Sequence, residues 1–296
     1  MKILFTLLIF FIILFFYIHI LFQLKTSNES EIYELILPSK EKLEKILTLK
    51  QPFLFTIENN DIFNKINLTT LSKDYPNYDL KIRNLKEKNT IKYLPLTCNK
   101  TFELLKQDKK GIYISEKNTD FFKETEINKF FMVNDELFRP PLLCNSDYDI
   151  LLGSKNSYTP LRYEISCCNY ILVNEGKINL KLCAPKNSKY LLEEKDYDNI
   201  EFYSPINPWN IHDKYKPDID KVEFLDIELL AKQCFFIPPY WWYSIQFQEK
   251  SNIFYFKYYT IMNNISIFPS LFLSFLQKHN IKHKTLKKIE IKKEKK

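Results

Sequence analysis

The sequence lacks the patterns of cysteine and histidine that bind zinc. Its six cysteines include no Cys-x-x-Cys pair, and none of its four histidines stands near them at zinc-finger spacing. A zinc module is therefore not predicted. Several cysteines lie inside apolar runs, where a cysteine is usually a small buried hydrophobe.

Glycine and arginine are also scarce. The chain has three glycines, and only three of its 43 basic residues are arginines, whereas Lys, Asn, Ile, Phe and Tyr are abundant. This bias is typical of an AT-rich coding sequence, so the number of lysines says little about function. The Asn-x-Ser/Thr sequons at Asn28, Asn67, Asn99 and Asn264 are discounted for the same reason, and they matter only if the domain faces a lumen.

Net charge is almost absent from most of the chain. Residues 281–296 contain eight lysines and two glutamates, so this tail carries +6 of the total charge of +7. The remainder is too nearly neutral for a basic nucleic-acid-binding body, and a nucleic-acid partner is not expected. The polybasic tail is either a solvated, disordered terminus or a contact for anionic lipid or nucleic acid.

No charged side chain interrupts residues 3–22, which read ILFTLLIFFIILFFYIHILF. A helix of this length matches the roughly 30 Å hydrocarbon core of a bilayer. A cleaved signal peptide, the alternative, has an apolar stretch of about 7 to 15 residues and a small-x-small cleavage site, and neither is visible. The sequence predicts a single-pass membrane anchor. The side of the membrane stays open, because Lys2 and Lys25 flank both ends.

The pattern divides the chain into five segments. Residues 1–24 are predicted to be the transmembrane anchor, 25–50 a linker with a short helix, and 51–265 one large domain. Residues 266–280 are predicted to form a C-terminal helix, and 281–296 the polybasic tail.

Two short segments have helical signals. In Ser39–Leu49, Ser39 is a plausible N-cap and the apolar residues 43, 46 and 47 share one face. Pro269 stands near a second helix start, and the apolar positions after it follow helical spacing. We expect the apolar face of this second helix to cover an open side of the main domain. That face consists of Phe268, Leu271, Phe272, Phe275 and Leu276.

From residue 52 onward the pattern changes to short apolar or alternating runs. These predict strands beginning near residues 52, 111, 130, 163, 177, 221, 234, 241 and 252. Many short strands with turn residues between them favour a mainly β sandwich or barrel.

The stretch 234–247, CFFIPPYWWYSIQF, resembles a signature of the JmjC and cupin-like double-stranded β-helix proteins. In that family a strand carries an Ile-Pro-x-x-Trp-Trp-His pattern. Residues 159–164, TPLRYE, resemble its Thr-Pro-x-His-x-Asp strand, and 176–185, GKINLKLCAP, its Gly-x-Lys strand. The resemblance covers about residues 50–265 and extends to cupin-like proteins of giant DNA viruses. It implies a mainly β, double-stranded β-helix (cupin or jelly-roll-like) barrel with flanking helices, behind one N-terminal transmembrane helix.

The resemblance also implies that the metal site is degenerate. Active members bind Fe(II) through two histidines and a carboxylate and use 2-oxoglutarate. The matching positions here hold Arg162, Glu164 and Tyr243, and the lysine that pairs with 2-oxoglutarate is matched by Ile178. An arginine has no lone pair to offer a metal, and a tyrosine ligates only as a phenolate, with an ordinary pKa of about 10. Neither catalytic residues nor a bound metal or cofactor are therefore expected.

Strand alternation bears on the same pocket. Ile178, Leu180 and Leu182 share one face, so the face turned into the barrel is apolar. Arg162 and Glu164 share a face of the predicted 161–166 strand, which either meets solvent or lines the barrel mouth. In the second arrangement the guanidinium occupies the volume of the lost metal and pairs with Glu164.

The four histidines do not supply a replacement ligand set. His19 lies in the apolar span, His212 in a predicted loop, and His279 and His283 at the end of the terminal helix. None stands at a matching strand position.

Three hypotheses for function follow. The first is a membrane-anchored pseudoenzyme that serves as a binding or structural module, with the membrane bound through residues 3–22 and a protein partner as a further expectation. The second is an active Fe(II)- and 2-oxoglutarate-dependent hydroxylase with an unusual ligand set. The third is a carbohydrate- or peptide-binding barrel, suggested by the aromatic content of 16%.

Overall fold

A computed structural model describes residues 2–36, 38–57, 66–86 and 93–280. The predicted polybasic tail and His283 lie outside the described residues. The α-helices described are α1 (Lys2–Leu24), α2 (Lys40–Leu47), α3 (Leu68–Asp74), α4 (Cys98–Gln107), α5 (Thr119–Glu124), α6 (Ile127–Asn134), α7 (Lys216–Ile219), α8 (Ile261–Ser266) and α9 (Phe268–Lys278).

The strands of the described residues outnumber the helices. They are β1 (Tyr33–Leu35), β2 (Phe53–Thr56), β3 (Asp79–Asn84), β4 (Tyr93–Thr97), β5 (Tyr113–Ser115), β6 (Leu143–Gly153), β7 (Arg162–Tyr163), β8 (Cys168–Glu175), β9 (Lys177–Cys183), β10 (Glu194–Asp196), β11 (Glu201–Tyr203), β12 (Phe224–Leu230), β13 (Gln233–Ile237), β14 (Trp242–Phe247) and β15 (Ser251–Thr260).

These strands form two sheets with a core between them. The order is β1-β2-β13-β8-β15-β6-β5-β3-β4 in the nine-stranded sheet and β10-β11-β7-β14-β9-β12 in the six-stranded sheet. Ile171 and Phe235 of the first sheet belong to the same buried cluster as Leu180 and Ile245 of the second. The sheets therefore pack face to face, as in other two-sheet β domains.

The inward face of β9 follows the predicted alternation. Ile178, Leu180 and Leu182 are fully buried, while the residues between them are partly exposed. Just before this strand, Gly176 has a φ of +88°, and a Cβ there would lie 2.9 Å from the Cα of Ser251. A glycine is required because L side chains rarely adopt this backbone conformation. The chain passes here from the nine-stranded sheet to the six-stranded sheet.

The N-terminal helix α1 is long and apolar enough to cross a bilayer, a property that signal sequences share. None of its described side chains is buried in the domain. It comes close to α8, and within it only His19, Ile20 and Gln23 are partly covered.

The predicted short helix is α2. The Ser39 side chain accepts a hydrogen bond from the Lys42 N–H at 3.3 Å, and Leu43 is buried. This cap satisfies one of the N–H groups that have no partner within the helix.

Two strand predictions are wrong. The run beginning at residue 130 lies in α6, where Ile127 and Phe131, one helical turn apart, are both buried. Its apolar spacing therefore serves a helix. The long strand predicted from residue 163 is interrupted between β7 and β8, because the chain changes sheets there: the Glu164 carbonyl accepts from the Tyr240 N–H, and the Cys167 N–H donates to the Tyr258 carbonyl.

The C-terminal helix predicted over residues 266–280 forms as α9, while α8 before it lies almost entirely in the segment assigned to the main domain. The prediction for the apolar face of α9 is wrong. Of the five apolar side chains expected to cover the domain, only Leu271 packs against a core cluster. Phe268, Phe272, Phe275 and Leu276 are exposed, because α9 is rotated so that Ser274 faces the domain.

Candidate functional site

Two adjacent strands of the six-stranded sheet position the pocket residues. Arg162 of β7 is the register partner of Tyr243 of β14, and Glu164 directly follows β7. Residues directly opposite each other on neighbouring strands point to the same face of the sheet. The structure therefore brings Arg162 and Tyr243 together in the interior, where Arg162 is 7% exposed and Tyr243 fully buried.

A chain of hydrogen bonds connects these side chains. The Tyr243 hydroxyl accepts from Arg162 Nε at 3.0 Å and donates to Glu164 Oε1 at 3.0 Å. Arg162 Nη1 donates to Glu116 Oε2 at 2.6 Å. Lys257 Nζ lies 2.8 Å from Glu164 Oε1. Each buried charge in this chain has an opposite charge as its partner, which offsets the cost of removing it from water.

The expected ion pair between Arg162 and Glu164 does not form. Arg162 pairs with Glu116, which follows β5, and Glu164 pairs with Lys257 of β15. Sequence analysis missed both of these partners. One signal was present, since Lys257 is the single charged residue in the apolar run NIFYFKYYT, whereas Glu116 carries no local sign of its role.

A second group of charges continues the network from Glu116. Arg83 Nη1 lies 2.9 Å from Glu116 Oε1 and 3.5 Å from Glu201 Oε1. Lys117 Nζ lies 2.9 Å from the other oxygen of Glu201. Glu116 and Glu201 are thus each held by more than one cation, and both are almost fully buried.

The charges determine the protonation states of the network. Burial pushes the pKa of Glu116 upward, but the guanidinium groups of Arg162 and Arg83 outweigh it and hold that pKa far below the ordinary value. The pKa of Glu164 is likewise lowered, since Lys257 and Arg162 outweigh burial. Both carboxyl groups are therefore ionised at neutral pH. Burial raises the pKa of Tyr243, so its hydroxyl remains protonated and can donate to Glu164.

Asp149 of β6 borders a small cavity that the side chains of the network leave between them. Its carboxylate oxygens accept hydrogen bonds from the backbone N–H groups of Lys117 and Asn118, each at 2.7 Å. Burial raises its pKa to about 7; Asp147 adds to this effect, and the two N–H groups act against it.

The space left between these side chains is small. The cavity has a volume of about 60 Å³ and is bordered by Glu116, Arg162, Glu164, Tyr255 and Lys257 among others. That is room for about two water molecules, well below the roughly 300 to 1,000 Å³ of small-molecule sites. The side chains of the network themselves fill most of the pocket.

A profile of the family described as "Cupin-like domain" matches residues 41–264. The chain belongs to the cupin-like domain family. The resemblance based on the Trp-Trp segment is thereby confirmed, whereas the similarity to viral members stays a prediction.

Similar proteins are known from mammals. The cupin-like chain is 22% identical to human HSPB1-associated protein 1 over 136 residues, which cover 46% of this chain and 26% of that protein. It is 23% identical to the rat HSPB1-associated protein 1 over 136 residues, or 46% of this chain and 27% of that protein. The matched region thus spans about a quarter of the length of these relatives.

Fe(II) and 2-oxoglutarate, which the JmjC resemblance implies, do not fit the pocket of this cupin-like domain. Among residues 2–36, 38–57, 66–86 and 93–280, no three His, Cys, Asp or Glu side chains are grouped so as to hold a metal ion. Glu164 is the one carboxylate at a matching position. Its Oε1 already pairs with the Lys257 ammonium group and accepts a hydrogen bond from the Tyr243 hydroxyl. His212 caps a 3₁₀ helix and His279 follows α9, and neither borders the cavity.

The position that the resemblance matches to the 2-oxoglutarate-binding lysine is also unable to bind this co-substrate. Ile178 is fully buried in the apolar cluster between the sheets and does not border the cavity. Tyr243 pairs with Leu182, four residues further along β9. An isoleucine can offer no charge to the co-substrate's carboxylate.

The tryptophans of the signature segment serve the core of the cupin-like domain. Trp241 and Trp242 are fully buried, and Trp242 Nε1 donates to Ser188 Oγ at 2.8 Å. They therefore provide no exposed aromatic surface of the kind that a carbohydrate-binding barrel would use.

Proposed function

We propose that this protein is a membrane-anchored, non-catalytic member of the cupin-like family, in which a double-stranded β-helix acts as a binding or structural module. One observation carries the proposal: a buried arginine stands where the family's resemblance places a metal ligand, and its charge is already matched by Glu116.

The strand order supports the double-stranded β-helix. Between β6 and β9 and again between β12 and β15, the chain alternates between the two sheets. In the larger sheet the strands lie in the order β13-β8-β15-β6, and in the smaller one β7-β14-β9-β12. Two sheets built by such alternation form a closed, jelly-roll-like barrel.

The charges explain why iron chemistry is not proposed. A guanidinium has no lone pair and remains protonated, so Arg162 can only repel a divalent cation. To admit the metal, Arg162 would have to leave Glu116 and Tyr243, which would then be buried with fewer partners. That rearrangement costs several kcal/mol for a buried charge.

Metal analysis tests the non-catalytic role. The full-length protein in detergent is incubated with Fe(II) or Zn(II) without oxygen, passed through gel filtration and assayed for bound metal. We expect far less than one metal per chain and, once Fe(II), 2-oxoglutarate and dioxygen are supplied together, no turnover of 2-oxoglutarate. The Glu164→Ala variant, which lacks the surviving carboxylate, serves as the control and should behave in the same way. Stoichiometric iron in the wild type, lost in Glu164→Ala, would support an active hydroxylase instead.

The anchoring role rests on α1, which has no buried side chain and a hydropathy sufficient for a membrane span. We expect the full-length protein to stay with membranes through high-salt and carbonate washes, because about twenty apolar residues anchor effectively irreversibly. Immunoblots of the washed membranes and the supernatant measure this. A shorter form released into the soluble fraction would instead identify a cleaved signal peptide.

The binding partner remains a prediction. The similar human protein takes its name from an association with HSPB1, and a protein partner of this chain is proposed by analogy alone. Contact between the polybasic tail and anionic lipid likewise remains a prediction.

A further inference from the structure

Helix α9 exposes apolar side chains and turns a polar side chain toward the domain, which is the reverse of a surface helix in a soluble protein. Its outward side chains are Phe and Leu: Phe275 is 56% exposed, and Phe272 and Leu276 are each 48% exposed, while Phe268, 60% exposed, lines a groove beside Leu271 and Ile165. Toward the domain it presents Leu271 together with the small polar side chain of Ser274, which is 3% exposed. A surface helix in water normally turns its apolar face inward and its polar face outward.

The helix that leads into α9 lies next to the candidate membrane span. Helix α8 immediately precedes α9 and comes close to α1, whose partly covered side chains, His19, Ile20 and Gln23, lie toward its C-terminal end. Ile261, at the start of α8, is itself 48% exposed. A bilayer that encloses α1 would therefore have its surface beside α8 and α9.

Charge on the same segment favours a lipid surface. Lys278 lies in the last turn of α9, and the sequence that follows, residues 281–296, carries a net charge of +6. Phe and Leu on one side of a helix with lysines nearby are typical of helices that lie in the interface of anionic membranes.

We propose that α9 lies in the interfacial region of the membrane that α1 enters, with its Phe and Leu side chains among the lipid chains. This inference rests on the proposed spanning role of α1. It gives the domain a second membrane contact, which fixes the orientation of the barrel relative to the bilayer in a way that a single flexible anchor does not.

The test uses the full-length protein in phosphatidylcholine and phosphatidylserine vesicles, with or without bromine on the acyl chains as a contact quencher of tryptophan fluorescence. The probe is Phe272→Trp, and the wild type supplies the signal of the native tryptophans. Since tryptophan favours the membrane interface, we expect brominated lipid to reduce the added emission by about twofold or more.

Leu230→Trp is a matched control, because Leu230 is 47% exposed, close to the 48% of Phe272. It precedes the turn in which the Lys232 N–H donates to the Val173 carbonyl, and Val173 pairs with Ile253. Ile253 lies seven residues before the end of β15, where α8 begins. At the usual rise of about 3.3 Å per residue, the turn is therefore about 23 Å from α8 along the strand. We expect no quenching of the signal that Leu230→Trp adds.

The outcomes separate the two proposals. If the protein is retained in the vesicles but Phe272→Trp is quenched no more than Leu230→Trp, the location of α9 is refuted and the anchor stands. If light scattering detects a dimer in which the tryptophan of Phe272→Trp is shielded from lipid, the location of α9 is likewise refuted. The exposed face of α9 would then be assigned to contact with a second copy of the chain. If carbonate removes the protein from the vesicles, anchoring fails and the inference fails with it.

Discussion

Replacing Arg162 with alanine is expected to lower the free energy of unfolding by about 3 to 5 kcal/mol, the usual cost of removing one partner of a buried ion pair. The variant leaves Glu116, whose side chain is 1% exposed, without the guanidinium at 2.6 Å. It also removes the donor to the Tyr243 hydroxyl. Denaturant unfolding of the full-length protein in a mild detergent, followed by near-ultraviolet circular dichroism, measures the change.

An exposed ion pair provides the comparison. Lys129 lies 2.5 Å from Glu126, and their side chains are 68% and 67% exposed. Lys129→Ala should change the unfolding free energy by less than about 1 kcal/mol, because solvent and salt screen such pairs. If Arg162→Ala unfolded at the same denaturant concentration as wild type, Arg162 would have to be solvated, and the filled-pocket interpretation would have to be abandoned.

Acid is expected to destabilise the protein through Glu116. Because the folded-state pKa of this carboxyl group is lowered, its contribution to stability is fully present above the unfolded pKa of about 4.3 and is lost as the pH falls below it. Each pH unit in that window costs about 1.4 kcal/mol for one such group. Glu164 acts in the same direction, since its pKa is also lowered.

The Glu116→Gln variant isolates this contribution. At neutral pH it should be less stable than wild type by about 3 to 5 kcal/mol, because the buried guanidinium groups of Arg162 and Arg83 then lack the carboxylate that neutralises them. As the pH falls from about 4.3 toward 3, the unfolded wild type binds a proton at this carboxyl group while the folded protein keeps it ionised, so the difference between the two stabilities should shrink by about 1.4 kcal/mol per pH unit. Urea unfolding midpoints measured from about pH 3 to 7 follow this. Parallel curves for the two proteins would show that Glu116 is not the titrating group.

Local patterns in the sequence were sufficient for several elements. The uninterrupted apolar run gave α1, the Ser39 cap gave α2, and the alternation of Ile178, Leu180 and Leu182 gave the inward face of β9. These features depend on neighbours within about one turn or one strand, which the sequence displays directly. That Arg162 and Tyr243 stand where the family has metal ligands stays a prediction, which rests on the resemblance of residues 159–164 and of the Trp-Trp segment to the family's patterns.

The partners of those residues were decided by the tertiary structure alone. Glu116 reaches Arg162 across 46 positions of sequence, and Lys257 reaches Glu164 from β15 in the other sheet. Such contacts arise when separate strands pair and sheets close, so no local pattern records them. The same holds for α9: helical spacing identified an apolar face, but only packing decided that Ser274 turns inward and the phenylalanines outward. Periodicity determines which side chains share a face, whereas the surrounding surfaces determine where that face points.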